Sequence, residues 1–193
     1  MVAEDMGYIA FAADIFGKDL HNVDDFNQKV ELATLYRSDP SLFIGRIQAA
    51  VDQLIDGTIM DDNDNSVMVI KDKIALVGFC FGGTGSLMYA LSDKDDVLGV
   101  VSVHGGLMPF DINTDAVSPR VLVISGGDDD TYTDVSVLED TLDNAGNTYE
   151  ITRYSGVEHG FTVFDSGKWY TMYHLETILT LFLLNLILSR CVQ

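Results

Sequence analysis

Short runs of apolar, mostly β-branched residues alternate with segments of helical length through the second half of the chain. Three such runs stand at residues 73–79, 97–103 and 120–125, and a more polar fourth strand is predicted at residues 149–154. Between them the sequence predicts a helix that begins near Gly83 and another over residues 134–145, with Gly146 as its C-terminal cap. Buried strands that alternate with helices form a mostly parallel sheet with helices on both faces. The pattern therefore predicts an α/β fold.

The first half of the chain is less regular. Tyr8 to Ala13 is a short apolar run that predicts a buried strand, and Gly17 predicts a turn after it. A helix is expected over residues 24–36. Pro40 then ends one helix and opens another over residues 42–55, whose predicted apolar face carries Leu42, Ile44, Ile47, Ala50, Val51 and Leu54. No internal repeat or linker interrupts the sequence, so we expect one domain over residues 1–193.

Charge excludes several classes of partner. The 193 residues include 30 acidic and 11 basic side chains, which gives a net charge of −19. Such a surface repels nucleic acid and anionic membranes. The apolar stretch at residues 178–188 is shorter than the ~20 residues of a membrane-spanning helix, so it predicts a buried last helix. Two cysteines and no recognisable signal peptide predict a cytosolic protein.

The first strand of the regular half ends in the segment Gly78-Phe-Cys-Phe-Gly-Gly83. This is the nucleophile-elbow pattern G-x-S-x-G with Cys80 in place of serine. The nucleophile of such an elbow stands at a sharp strand-to-helix turn, and Gly78 and Gly82 are expected to remove collisions with it. The following helix N-terminus favours a thiolate, and the backbone N–H of Phe81 is placed to bind an oxyanion. Alternatively, Cys80 is only a small buried core residue.

Two downstream turns supply an acid and a base in the order that α/β-hydrolases use. The strand at residues 120–125 runs into Gly126-Gly-Asp-Asp-Asp130, and the strand at 149–154 runs into a loop that holds His159. All of these groups leave the carboxyl edge of one parallel sheet, where ligands bind in such folds. His104 also ends a strand, but it precedes the acid and is expected to line the pocket.

These segments resemble the dienelactone hydrolase family. The elbow with cysteine matches that family, Gly126-Gly-Asp-Asp129 is similar to its acid turn and favours Asp129 over Asp128, and Tyr154 to Phe161 is similar to its histidine segment. Gly7-Tyr8 and Asp14 to Lys18 are similar to an earlier family segment. The strands that precede this segment in the family are absent here, so the resemblance implies an α/β-hydrolase domain that lacks its first strands.

The resemblance implies hydrolysis of carboxylic esters or lactones with no metal or organic cofactor. Cys80 is expected to attack the carbonyl, His159 to relay the proton and Asp129 to hold the imidazole, with Phe81, His104 and Phe161 around the oxyanion and substrate. Family members specific for dienelactones carry an arginine four residues past the histidine, where this chain has Val163.

Two other interpretations remain open at this stage. The chain could be a non-catalytic binding module, or a fragment that needs a partner chain to complete the sheet at the unpaired edge of the Cys80 strand. A redox role for an activated Cys80 thiolate is the third. The oligomeric state is not determined by the sequence.

Overall fold

The computed structural model describes residues 8–18, 20, 23–57, 59–60, 66–107, 119–129 and 135–162. The chain divides into two compact units, Met1–Lys71 and Asp72–Gln193. The predicted closing helix, including residues 178–188, lies outside the described residues, and so does most of the polar loop at residues 61–66. Whether the two units make up one domain stays a prediction.

The first unit contains two consecutive helices, α1 (Phe26–Ser38) and α2 (Pro40–Asp56). The Asp25 carboxylate caps α1 by accepting a hydrogen bond from the Gln28 N–H at 2.9 Å. Asp39 ends α1 and also caps α2, because its carboxylate accepts from the Leu42 N–H at 3.0 Å. Pro40 occupies the first turn of α2, where no backbone donor is lost. Both predicted helices are confirmed: α1 is shifted two residues toward the C-terminus, and α2 is slightly longer than predicted.

One face of α2 forms the small core of this unit. Phe43, Ile47 and Val51 are spaced by four residues and are all buried. The Phe43 ring packs edge-to-face on Tyr36 of α1, with ring centroids 5.6 Å apart. Of these three buried residues, Ile47 and Val51 were among the predicted apolar positions. Phe43, the most buried of the three, was not.

The predicted strand at Tyr8–Ala13 is wrong. Residues 8–14 form no strand with any described segment, and residues 9–13 are exposed, including Ile9 and Phe11. An apolar run becomes a buried strand only when neighbouring strands satisfy its backbone groups, and no described ladder includes this run. The turn that follows is present, since Gly17 adopts a φ of 93° and donates its N–H to the Asp14 carboxylate at 2.9 Å.

A two-residue antiparallel ladder closes the first unit. Strand β1 (Ile59–Met60) pairs with β2 (Ser66–Val67). The sequence did not predict this ladder, because two residues are too few to show a period.

The second unit holds the α/β fold. Its strands and helices are β3 (Ala75–Phe79), α3 (Phe81–Ala90), β4 (Gly99–Val103), β5 (Arg120–Gly126), α4 (Val135–Ala145) and β6 (Tyr149–Tyr154). The strands lie in the order β3-β4-β5-β6, and every pair is parallel. The predicted α/β architecture, a parallel sheet flanked by helices, is confirmed.

The central strands are apolar on both faces because helices cover them. Every residue of β4 is buried, and Val121 to Ile124 of β5 are at most 1% exposed. Helix α4 buries Leu138 and Leu142 one turn apart and ends at Gly146, which has a φ of 73°. The predicted C-terminal cap is confirmed.

The register of the sheet brings its chemistry-bearing turns to one edge. Phe79 pairs with Val103, and Val103 pairs with Ile124, so β3 and β4 end level with each other while β5 continues two residues further, to Gly126. Strand β6 ends beside Gly126. The four segments that follow these strands carry Cys80, His104, Asp129 and His159.

Candidate active site

Cys80 occupies a strained turn between β3 and α3. Its backbone has φ 51° and ψ −112°, a region that residues with a side chain rarely adopt. The turn is held from both sides: the Cys80 N–H donates to the Val103 carbonyl at 3.0 Å, and its carbonyl accepts from the Thr84 N–H at 3.2 Å. The strand and the helix therefore fix the sulfur at the carboxyl edge of the sheet.

Only one of the two glycines expected to relieve the elbow is sterically required. A Cβ at Gly78 would lie 2.0 Å from the carbonyl oxygen of Gly82, whereas a Cβ at Gly82 would meet nothing within 4 Å. The tight glycine on the helix is Gly83, whose Cβ would lie 2.8 Å from the Gly105 Cα. Glycine is therefore required at position 78 as predicted, although the atoms that a side chain would strike there belong to Gly82 and Ser86 rather than to Cys80, and the prediction for Gly82 is wrong.

His159 lies between a sulfur and a carboxylate. Its Nε2 is 3.2 Å from the Cys80 Sγ, and its Nδ1 is 2.9 Å from Oδ2 of Asp129. The Asp129 side chain is 7% exposed and that of His159 is 31% exposed, so the carboxylate is sheltered and the imidazole is open to solvent on one side. Asp128 is exposed and uses its backbone N–H to bond the Val157 carbonyl. Asp129 is thus the acid that contacts the imidazole.

His104 lies beside this line of groups. It is 3% exposed, and its ring centroid is 5.0 Å from that of His159 in an edge-on arrangement. Burial, with a smaller contribution from the neighbouring His159, lowers the pKa of His104, so its ring stays neutral at pH 7. Its Nε2 lies 2.7 Å from the Thr162 hydroxyl, while its Nδ1 is buried and has no hydrogen-bond partner among the described residues.

The remaining predicted site residues are Phe81 and Phe161. Phe81 is the first residue of α3, directly after Cys80, and Phe161 is 2% exposed with its ring 5.2 Å from that of His104. Phe161 therefore supports the buried face of the site. The roles assigned to both residues stay predictions.

Sequence reasoning missed two hydroxyl groups that position the site. Thr162 contacts His104, and the Thr84 hydroxyl accepts from the Gly106 N–H at 2.8 Å, which ties α3 to the loop after His104. Thr162 lies three residues after His159 in the same turn. This closeness in sequence to a predicted site residue was the one signal that could have identified it.

The grouping also offers metal ligands. Cys80, His104 and His159 each present a ligand atom, and these three atoms lie within 4.8 Å of one another. A thiol and two imidazoles are the donors that zinc and similar ions prefer.

Comparison with known proteins places the chain in a family. The sequence model of the dienelactone hydrolase family matches residues 2–180. The chain belongs to this family. The predicted resemblance is confirmed over nearly the whole sequence.

One curated relative of this dienelactone hydrolase family member matches part of the sequence. A "Probable 2-oxo-3-(5-oxofuran-2-ylidene)propanoate lactonase" of Bradyrhizobium sp is 27% identical over 136 residues, which is 60% of this chain and 54% of the relative. The chain thus spans about half the length of this curated relative.

Solved structures extend the comparison. A dienelactone hydrolase-like promiscuous phosphotriesterase from metagenomic libraries is 25% identical, with a TM-score of 0.79 over 94% of this chain and 76% of that one. An alpha/beta hydrolase from a Medee basin deep-sea metagenome library is 18% identical, with a TM-score of 0.58 over 76% of this chain and 64% of that one. No helix in the part of the chain described above is long and apolar enough to cross a membrane.

Proposed function

We propose that the chain hydrolyses carboxylic esters or lactones, with Cys80 as nucleophile, His159 as base and Asp129 as the acid that orients the base. One observation carries the proposal: the imidazole of His159 bridges the Cys80 sulfur at 3.2 Å and the Asp129 carboxylate at 2.9 Å. Both distances are within hydrogen-bond reach, which a nucleophile, base and acid need. Membership of the family supports the same reaction.

The mechanism follows from which nitrogen faces which group. Asp129 accepts a hydrogen bond from the Nδ1–H of His159, which leaves Nε2 to take the proton of Cys80. The thiolate attacks the ester carbonyl, and the imidazolium then gives its proton to the leaving alkoxide. In the second half, His159 takes a proton from water, the resulting hydroxide attacks the thioester, and the proton returns to the departing sulfur. Product acid and free thiol result.

The surroundings of Cys80 suggest how the oxyanion and the substrate are held. The Phe81 N–H follows the nucleophile at the start of α3, where backbone N–H groups point outward and stabilise negative charge. His104, kept neutral by burial, and Phe161 beneath it form an uncharged wall beside the sulfur. An uncharged wall favours the binding of an uncharged acyl group over one that carries a charge.

We infer an uncharged ester or lactone as substrate. The net charge of −19 disfavours the approach of anions, and Val163 stands where dienelactone-specific relatives carry an arginine. A lactonase among the relatives supports a cyclic or open carboxylic ester.

The decisive experiment compares the two cysteines. In steady-state hydrolysis of p-nitrophenyl acetate, Cys80→Ala is expected to abolish turnover, whereas Cys191→Ala keeps it. Mass spectrometry of acid-quenched wild type is expected to find the acetyl group on Cys80. Equal activity in the two variants would refute the proposed nucleophile.

One observation favours a second candidate, a fragment that needs a partner chain. Strand β3, which carries the nucleophile, is at the edge of the described sheet, and its Val77 and Phe79 side chains are 43% and 45% exposed. Exposed apolar edge strands pair readily with another chain. Size-exclusion chromatography with light scattering, run alongside the esterase assay, separates the candidates: an active monomer excludes the fragment.

A further inference from the structure

We propose that Cys80, His104 and His159 form a binding site for a single Zn²⁺ ion, and that the bound ion switches the hydrolase off. The inhibitory consequence rests on the proposed function, whereas binding of the ion does not. This ion is an inhibitor and takes no part in the reaction.

The geometry fits one tetrahedral ion. Zinc bonds of ~2.3 Å to sulfur and ~2.0 Å to nitrogen place two ligand atoms of one ion roughly 3.3–3.6 Å apart. Cys80 Sγ and His159 Nε2 are already 3.2 Å apart, and all three ligand atoms lie within 4.8 Å of one another. The ion can therefore enter with a small outward shift of the sulfur and a side-chain adjustment of His104. Water would be the fourth ligand, and the His159 side chain is 31% exposed to solvent.

Outer contacts of the kind that support metal-binding histidines are already in place. A metal-binding imidazole usually donates its second N–H to a carboxylate or another oxygen. His159 makes this contact through Nδ1 to Asp129, which directs Nε2 toward the sulfur. His104 contacts the Thr162 hydroxyl through Nε2, and in the part of the chain that the structure describes its other nitrogen has no hydrogen-bond partner. Whichever nitrogen of His104 binds the ion, the cost is at most one neutral hydrogen bond.

Charge also balances at this position. Zn²⁺ with one thiolate and two neutral imidazoles carries a net charge of +1, and the sheltered Asp129 carboxylate beside His159 offsets it. On binding, the proton shared by Cys80 and His159 leaves to water, and Zn–S and Zn–N bonds replace the hydrogen bond. The sulfur lone pair and the base nitrogen are then both occupied, so neither attack nor proton transfer can take place.

The donor set predicts which ions act. Thiolate and imidazole favour Zn²⁺ and Co²⁺, whereas Mg²⁺ and Ca²⁺ prefer oxygen ligands. Added Zn²⁺ is therefore expected to inhibit ester hydrolysis and EDTA to restore it, while Mg²⁺ and Ca²⁺ at the same concentrations leave the rate unchanged.

The test uses the full chain carrying Cys191→Ala, so that Cys80 is its one thiol. Co²⁺ is titrated as a coloured substitute for zinc, and the thiolate-to-cobalt absorption band reports binding without any need for activity. In parallel, Zn²⁺ is titrated against alkylation of Cys80 by iodoacetamide and against esterase rate. The expected result is a cobalt–thiolate band, protection of Cys80, and loss of rate at the same Zn²⁺ midpoint as the protection.

Two variants identify the third ligand. His104→Gln is expected to raise the Zn²⁺ midpoint for Cys80 protection by at least about 10-fold, since even loss of an outer contact costs roughly 10–100-fold in affinity. His104→Phe, which keeps a ring of similar size but removes both nitrogens, serves if His104→Gln does not fold, and should raise the midpoint in the same way. Circular dichroism checks that each variant is folded.

The outcomes separate this inference from the proposed function. An active enzyme with no cobalt–thiolate band and no protection of Cys80 overturns the metal site alone. An unchanged midpoint in folded His104→Gln, or in His104→Phe where that variant stands in for it, also overturns it. A band and protection in a chain that hydrolyses no ester support the metal site and count against the hydrolase.

Discussion

Replacing Gly78 by alanine is expected to destabilise the second unit strongly. The new methyl group would collide with backbone atoms, which cannot move aside as the end of a flexible side chain can. The new Cβ would lie 2.0 Å from the Gly82 carbonyl oxygen and 2.2 Å from its carbon, with the Ser86 hydroxyl at 2.6 Å. Ordinary contact begins near 3.4 Å, so the start of α3 must move by more than an ångström. Overpacking typically lowers the free energy of unfolding by about 1–3 kcal/mol. Because the atoms struck belong to a rigid helix turn, we expect a loss at the upper end of that range.

The matched control is Gly82→Ala, two residues from Cys80 on its other side. Its Cβ meets nothing within 4 Å, and alanine favours a helix by up to ~1 kcal/mol over glycine. For a chain of this size about 3 kcal/mol corresponds to a fall in Tm of roughly 6–12 °C. Thermal unfolding followed by circular dichroism should show that fall for Gly78→Ala and an equal or higher Tm for Gly82→Ala. Equal losses in both variants would refute the steric reasoning.

Three further predictions concern single side chains of the site. Asp129→Asn should lower kcat for an activated ester by about 10²–10⁴-fold, because an amide neither stabilises the imidazolium nor fixes its tautomer; a loss under about 10-fold would contradict the assigned role. Cys80→Gly should unfold at a Tm at least as high as Cys80→Ala despite glycine's greater chain entropy, since only glycine adopts φ 51°, ψ −112° without strain; a lower Tm for the glycine variant argues against strain. Phe161→Ala should reduce the free energy of unfolding by about 3–5 kcal/mol in urea, because that ring is fully buried; a change below about 1 kcal/mol would contradict its packing role.

The sequence predicted the second unit well because its signals are local. Strands β4 and β5 are short apolar runs between turns, and β6 at Tyr149–Tyr154 has the predicted bounds. The positions of Cys80, Asp129 and His159 follow from where parallel strands end, which a one-dimensional pattern shows directly.

The features that the sequence failed to predict share a physical cause. Each of them depends on what a segment packs against, which the sequence of that segment does not show. The run at Tyr8–Ala13 has strand composition, yet no described strand pairs with it. Gly82 fits the elbow pattern, yet the space around its Cβ position is open. Burial of His104 beside His159, and its contact with Thr162, depend on two loops that are far apart in sequence.

The turn after β5 and the loop after β6 are joined by backbone hydrogen bonds. Gly127 donates to the Tyr154 carbonyl at 2.7 Å, Asp128 donates to the Val157 carbonyl at 3.0 Å, and the Arg153 guanidinium donates to the Gly127 carbonyl at 3.1 Å. Any rearrangement at this end of the sheet must therefore carry Asp129 and His159 together. The contact between Asp129 and His159 is therefore set by the main chain. The distance that side-chain motion can still adjust is the one between the His159 imidazole and the Cys80 sulfur.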